Sequence, residues 1–183
     1  MTMTRVEKII DFLATDTLSL TFTDKGLKFL SLRPNRGAQD INLKGLINEK
    51  QEPGSVVEQI INETFSFLET GRHEMPLDFT EFTDFQQRVF GAVGTIEPGQ
   101  VITYKGIAEI LGKPGAAQAV GSAVAKNPVS YFLPTHRVLP QRGIGICRSG
   151  AGHLREKLLA HEGHDLSTLR GNYVCTRKKC CLE

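Results

Sequence analysis

Hydrophobic and polar side chains alternate in residues 17–32, TLSLTFTDKGLKFLSL, on both sides of Asp24-Lys25-Gly26. Every second side chain of a strand lies on the same face, so this pattern predicts a β-hairpin in which Gly26 supplies a positive φ to the turn. The following residues, 33–54, are mostly polar and include Pro34 and Pro53. We expect them to form a variable loop.

The hydrophobic period becomes helical after residue 54. Ser55-Val56-Val57-Glu58 has the spacing of a capping box, apolar residues follow at helical spacing as far as Leu68, and Gly71 fits the end of the helix. HEMPLDFTEF, residues 73–82, predicts extended chain that returns to the hairpin. Residues 1–80 are therefore predicted to be an α/β N-terminal domain, a small sheet plus a helix.

The chain is predominantly helical in pattern from residue 81 onward. Thr83-Asp84-Phe85-Gln86 is a second capping box, and Glu97-Pro98-Gly99-Gln100 predicts a turn. Thr103 is predicted to cap a helix that runs to Leu111, and a second helix is predicted from Ala116 to Lys126. The glycine-containing turn between them makes a helix-turn-helix, although a purely structural helical hairpin has the same pattern.

Residues 127–170 complete a mainly helical C-terminal domain, predicted to span 81–170. Asn127-Pro128 ends the preceding helix, and VSYFL, residues 129–133, predicts a short buried strand. Pro134-Thr135-His136-Arg137 predicts a turn, and an amphipathic helix within residues 152–166 is expected to end at His161-Glu162-Gly163. His153, His161 and His164 are expected at the surface or at helix ends. Residues 171–183 are a basic tail that contains cysteine.

Composition adds few constraints. The 183 residues carry a net charge of +2, which does not by itself indicate a polyanion partner. No apolar run approaches the roughly 20 residues of a membrane helix, so we expect no membrane partner and a cytoplasmic protein, or a nuclear one in a eukaryote. The cysteines are Cys147, Cys175, Cys180 and Cys181, without a Cys-x-x-Cys pair. No metal, cofactor or oligomer beyond a monomer is expected.

An ordered string of motifs resembles the O6-alkylguanine-DNA alkyltransferase (methylated-DNA–protein-cysteine methyltransferase) family. The string is FQQRVFGAVGTIEPGQVITYKGIAEILG at 85–112, AVGSAV at 119–124, NPVSYFLPTHRV at 127–138 and LLAHEGH at 158–164. Residues 1–80 fit the family's N-terminal domain by order and size only. The resemblance implies the alkyltransferase fold, with a helix-turn-helix that binds the minor groove of double-stranded DNA and flips an alkylated guanine into a pocket.

The resemblance also implies roles for individual residues. A cysteine of the family motif takes the alkyl group irreversibly, and a histidine and a glutamate, here His136 and Glu162, activate it through water. Asn127 matches the hinge asparagine, Tyr104 the tyrosine that rotates the nucleotide, and Arg137 a motif arginine of mainly structural role, grouped with the DNA-binding residues. Lys105, Lys113 and Lys126 lie where phosphates could be met.

Three positions depart from the family pattern. Thr135 stands where the cysteine belongs, and a threonine hydroxyl is far less acidic than a thiol, so we expect no alkyl transfer to it. Gln118 replaces an arginine that fills the gap left by the flipped base, which predicts weaker flipping. In the pocket loop, ungapped alignment puts Arg148, beside Cys147, at the position of a tyrosine that hydrogen-bonds the base.

These departures favour natural divergence and a replaced nucleophile. The leading hypothesis is a non-catalytic protein that binds O6-alkylguanine lesions and hands them to excision-repair proteins. Three alternatives remain open: an enzyme that uses Cys147 as a displaced nucleophile, an active-site variant of a true alkyltransferase, and a regulatory or protein-interaction module without lesion binding.

Overall fold

A computed structural model describes residues 5–15, 17–33, 39–43, 55–144 and 150–169. These residues form two compact units. The first holds the described residues up to Phe79 together with Pro128–Phe132, and the second holds Thr80–Asn127 and the described residues from Leu133 onward. The sequence predicted a single boundary near residue 80 and did not anticipate that Pro128–Phe132 joins the first unit.

The first unit contains the predicted hairpin. Strands β1 (Thr17–Thr23) and β2 (Gly26–Ser31) pair antiparallel, and Gly26 has a φ of 138°. A third strand, β3 (Gln39–Asn42), pairs antiparallel with the other edge of β1 and corrects the prediction of a loop over residues 33–54. Only Ile41 of this strand is buried, and one apolar residue among polar neighbours gives no alternation to detect.

Two helices accompany this sheet in the first unit. Helix α1 (Arg5–Leu13) buries only Ile9 and Leu13, one turn apart, and the sequence analysis did not predict it. Helix α2 (Ser55–Thr70) was predicted, and it ends before Gly71, whose φ is 71°. Extended chain then returns to the hairpin as predicted, since Leu27 donates to Pro76 and accepts from Asp78 through backbone hydrogen bonds of 2.8 and 2.9 Å.

The second unit opens with helix α3 (Asp84–Gly94), whose predicted capping box is present. The Thr83 side chain accepts from the backbone of Gln86, and the Gln86 side chain accepts from the backbone of Thr83. The predicted turn after α3 is closed by a hydrogen bond from Gln100 N to Glu97 O of 3.0 Å.

The helix-turn-helix follows the short strand β4 (Ile102–Thr103). Helix α4 (Tyr104–Ile110) is capped by the hydroxyl of Thr103, which accepts from Gly106 N at 3.0 Å, and helix α5 (Ala117–Val124) packs against it. Gly112, at a φ of 69°, turns the chain between them. One face of α5 is buried and consists of Val120, Ala123 and Val124. The opposite face is exposed and consists of Gln118, Ala119 and Ser122.

The strand predicted over residues 129–133 is wrong. Ser130–Phe132 form a 3-10 helix, in which Ser130 has a φ of 47°. A positive φ is incompatible with a strand, and Pro128 removes a backbone donor just before it. The predicted burial is correct, because Val129, Tyr131, Phe132 and Leu133 are all buried.

The rest of the second unit carries the predicted turn and the last long helix. Thr135–Arg137 form a 3-10 turn and lead into β5 (Val138–Leu139), which pairs parallel with β4. Helix α6 (Gly150–His161) buries Leu158 and Leu159, and the short helix α7 (Leu166–Leu169) follows Gly163, whose φ is 86°. Among the described residues, no helix is long and apolar enough to span a membrane.

Candidate DNA-lesion site

The backbone around Thr135 is tightly turned. Pro134 has φ and ψ of −74° and 54°, and Thr135 N donates to Leu133 O at 2.6 Å, so the three residues make an inverse γ-turn. Arg137 N donates to Pro134 O at 3.0 Å and closes the next turn. Proline fixes φ here, and the turn holds the half-buried Thr135 in one backbone conformation.

Asn127 lies at the other end of this chain segment and reaches the same side chain. Its amide Nδ2 donates to the hydroxyl oxygen of Thr135 at 3.5 Å, the long limit of a hydrogen bond. Asn127 itself follows the last turn of α5, with its N–H bonded to Val124 O at 3.2 Å. The structure therefore brings together two of the residues that the sequence placed in the site.

His136 and Glu162 are in direct contact. Nε2 of His136 lies 2.8 Å from Oε1 of Glu162, and the two side chains are 3% and 6% exposed. An ionised carboxylate only accepts hydrogen bonds, so the proton lies on Nε2 and the lone pair of the neutral ring on Nδ1. The glutamate thus sets the orientation and the tautomer of the imidazole beside Thr135.

Arg137 holds the same carboxylate from the other side. Its Nε and NH2 groups donate to Glu162 at 2.6 to 3.1 Å, and NH1 donates to the carbonyl of Ile96 at 2.6 Å. Only 2% of Arg137 is exposed, which supports the structural role of this arginine rather than its grouping with the DNA-binding residues. The N–H of Gly99 adds a further donor to Glu162 at 3.3 Å, a contact that the sequence analysis missed.

The pKa values of this buried group follow from its contacts. Burial alone would raise the pKa of Glu162, but hydrogen bonds from His136 and Arg137 and the charge of Arg137 lower it from 4.5 to about 2. Burial lowers the pKa of His136 below 6.5 and outweighs the opposite effect of Glu162. At neutral pH the group is therefore a neutral imidazole beside an ion pair of glutamate and arginine.

His164 lies just past the end of α6, one of the two places predicted for it, and its N–H donates to Leu159 O at 3.0 Å. It is half-buried rather than at the surface, and its Nε2 is buried without a hydrogen-bond partner among the described residues. Burial lowers its pKa, which Glu162 raises and Arg137 lowers further. Nothing local in the sequence marks this position, because its burial comes from the turn that follows α6. His161 is exposed, as predicted.

The strands β4 and β5 pair parallel, Ile102 with Val138 and Thr103 with Leu139, so the turn at Thr135 and the start of α4 lie at opposite ends of this short pair. Tyr104 is half-buried and lies against Gly121 of α5, where an added Cβ would be 3.9 Å from its ring. The small residue lets the tyrosine ring pack close to α5.

The polar residues assigned to DNA binding lie on the surface of the second unit. Gln118, Lys105, Lys113 and Lys126 are all exposed. Lys105 forms an ion pair with Glu109 at 3.8 Å, and Lys113 lies 5.3 Å from the centre of the Phe85 ring. Cys147 and Arg148, and the cysteines of the tail, lie outside the described residues.

A family model for the DNA-binding domain of 6-O-methylguanine DNA methyltransferases matches residues 84–164, which include the helix-turn-helix, Thr135 and Glu162. The methylated-DNA–protein-cysteine methyltransferase of Kluyveromyces lactis is 30% identical over 138 residues, which cover 74% of this chain and 72% of the yeast protein. The chain belongs to this family.

Two further similar proteins show how much of the chain the similarity covers. The Shigella flexneri methylated-DNA–protein-cysteine methyltransferase is 45% identical over 82 residues, 45% of this chain and 48% of that protein. The match thus spans about half the length of such bacterial relatives. A Mycobacterium tuberculosis OGT crystallised with DNA superimposes with a TM-score of 0.61 at 28% identity, over 79% of this chain and 85% of that one. The predicted fold, an α/β N-terminal part and a helical C-terminal part, is thereby confirmed.

Proposed function

We propose that this family member binds O6-alkylguanine in double-stranded DNA and does not accept the alkyl group. The observation that carries the proposal is the side chain at the tip of the turn. Thr135 occupies the position that the resemblance assigns to the acceptor cysteine, and its hydroxyl accepts a hydrogen bond from Asn127. The histidine, glutamate and arginine that follow are in contact as one buried group.

A cysteine and a threonine at position 135 differ in their reactivity as nucleophiles. Alkyl transfer requires a nucleophile that attacks the alkyl carbon, and a thiol supplies one because part of it is thiolate at neutral pH. A threonine hydroxyl is hardly ionised at neutral pH. The Nε2–H of His136 already donates a hydrogen bond to Glu162. The names of the relatives specify a cysteine acceptor, and the cysteine of this chain that is nearest in sequence to Thr135 is Cys147.

Binding does not require the nucleophile. The exposed face of α5 carries small residues that let a backbone approach a narrow groove, and the exposed lysines at 105, 113 and 126 can meet phosphates. Flipping a base costs a few kcal/mol, least for a damaged base, so a pocket can select lesions by that difference alone. Gln118, being uncharged, stabilises the flipped state less than an arginine would. In this function the protein marks a lesion for excision-repair proteins.

The test is fluorescence anisotropy with two labelled duplexes that differ only in one O6-methylguanine. Salt is fixed, because phosphate contacts dominate the affinity of both complexes. We expect tighter binding to the lesion duplex, by about tenfold or more, which corresponds to about 1.4 kcal/mol. Equal binding to both duplexes would reject lesion recognition and favour a regulatory or interaction module.

A reversal experiment separates binding from capture. Unlabelled lesion duplex added in excess should release the labelled duplex with or without transfer, because transfer joins the alkyl group and not the DNA to the protein. Retention of a methyl group by the protein after release would instead support an enzyme, with Cys147 as the first residue to map.

A further inference from the structure

The segment Pro128–Phe132 connects two residues of the site, Asn127 and Thr135, yet it belongs to the first unit. Two hydrogen bonds hold its beginning and middle there. Leu30 N donates to Pro128 O at 2.8 Å, and the hydroxyls of Thr64 and Tyr131 are 2.9 Å apart. Thr64 lies on α2, so a helix of the first unit holds this segment through a side chain.

His73 holds the end of the segment. Its Nδ1 accepts from Met75 N at 3.1 Å, which leaves the proton of the neutral ring on Nε2. Nε2 lies 2.6 Å from the carbonyl oxygen of Phe132 and donates to it. The backbone of Met75 therefore fixes the tautomer that makes the contact with Phe132.

The hydrogen bonds of Thr64 and His73 lie among buried and aromatic side chains. Thr64 is fully buried and Tyr131 is 2% exposed, and burial raises the pKa of Tyr131, so its hydroxyl stays protonated. The rings of His73 and Phe132 are 4.6 Å apart, and those of Tyr131 and Phe132 are 4.9 Å apart. Ser130 keeps a positive φ of 47° within this cluster, a conformation that persists only where neighbouring contacts impose it.

We propose that Thr64 and His73 are positioning residues that fix the backbone of Pro128–Phe132 and thereby set the distance between the Asn127 amide and the Thr135 hydroxyl. From Phe132 the chain reaches Thr135 through Leu133 and Pro134, whose inverse γ-turn leaves little rotational freedom. A shift of the Phe132 carbonyl therefore moves Thr135. The inference rests on the proposed function only for the claim that these two residues form a lesion site.

The first test is NMR spectroscopy of the full chain without DNA. Thr64→Val keeps the shape of the side chain and removes the hydroxyl. We expect the side-chain amide signals of Asn127 and the methyl signal of Thr135 to shift or broaden, and Thr64→Ser to restore them. Thr21→Val, the same substitution on strand β1 of the same unit, is the matched control and should leave both signals unchanged.

Two more variants keep the test decisive if Thr64→Val folds poorly. The double variant Thr64→Val/Tyr131→Phe removes both hydroxyls and leaves no unpaired buried group. His73→Phe preserves a ring in the cluster and removes the contact with the Phe132 carbonyl. Both should move the same two signals. Signals of Asn127 and Thr135 identical to wild type in all folded variants, while those around residue 131 or 73 change, would overturn the proposal.

The second test is the preference for lesion DNA. Thr64→Val should lower the ratio of the affinities for lesion and unmodified duplexes roughly three- to tenfold, the effect of one neutral hydrogen bond, with little change for the unmodified duplex. If the wild-type protein shows no preference, the proposed function fails, whereas the NMR signals still decide the positioning role.

Discussion

Glu162 is the residue on which the geometry of the site depends. One carboxylate accepts hydrogen bonds from His136, from Arg137 and from the backbone of Gly99, which precede Glu162 by 26, 25 and 63 residues. No local pattern encodes these contacts. The sequence analysis joined His136 with Glu162 through the family resemblance, and the geometry adds that Arg137 is buried with them.

Removing the carboxylate of Glu162 should destabilise the folded protein. Glu162→Ala leaves the charge of the buried Arg137 guanidinium without a carboxylate to neutralise it, so we expect the free energy of unfolding to fall by about 3–5 kcal/mol in urea denaturation. Glu109→Ala, which removes an exposed carboxylate paired with Lys105, is the control and should cost no more than about 1 kcal/mol. Equal losses in the two variants would show that the group around Glu162 is not buried in solution.

The same group predicts how stability depends on pH. The pKa of His136 is lower in the folded than in the unfolded chain, so the unfolded chain binds more protons below pH 6.5 and stability falls on acidification. Glu162 acts in the same direction further down, since its contribution is present above 4.5 and is lost as pH falls towards about 2.

Urea midpoints measured between about pH 7.5 and pH 5 test the histidine contribution, which for one group is at most about 1.4 kcal/mol per pH unit. His136→Gln should make the dependence shallower over this range. An unchanged slope in the variant would mean that His136 titrates alike in the folded and unfolded chains.

Among the elements, most of those with local signals were predicted. The hairpin has alternation and a turn glycine, and α3 and α4 have threonine caps whose hydrogen bonds are present. β3 lacks such signals, because it buries only Ile41. α1 has them, in the capping-box spacing of Thr4 and Glu7 and in apolar residues at helical spacing, and the sequence analysis did not use them. The segment 129–133 is apolar enough for a buried strand, but the φ of Ser130 is set by tertiary contacts that its sequence does not reveal.

The helix-turn-helix supplies a prediction about DNA affinity. Gln118→Arg adds a positive charge to the exposed start of α5, so we expect tighter binding to duplex DNA and a salt dependence of log affinity steeper by about 0.9. Gln59→Arg, the same substitution at an exposed position of α2, is the control and should not change the slope. Equal slopes in both variants and the wild type would place the DNA elsewhere than on α5.

At the scale of the whole molecule, the order of the α/β and helical parts could be predicted from hydrophobic periods, but the path of the chain could not. The return of Pro128–Phe132 to the first unit depends on Thr64, His73 and Leu30, which precede it by more than fifty residues. Contacts at such separations leave no periodic trace in the sequence. They nevertheless hold the segment that leads to Thr135.

The most direct test of the central claim, recognition without capture, is the intact mass of the protein after incubation with O6-methylguanine duplex at concentrations where anisotropy shows it bound. The cysteine-dependent relative from Kluyveromyces lactis serves as the control for the DNA. We predict that the mass of this protein stays unchanged while that of the relative rises by one methyl group, and that Thr135→Cys gains a methyl at position 135. A wild-type chain that gains one methyl, at Cys147 or any other residue, would contradict the account.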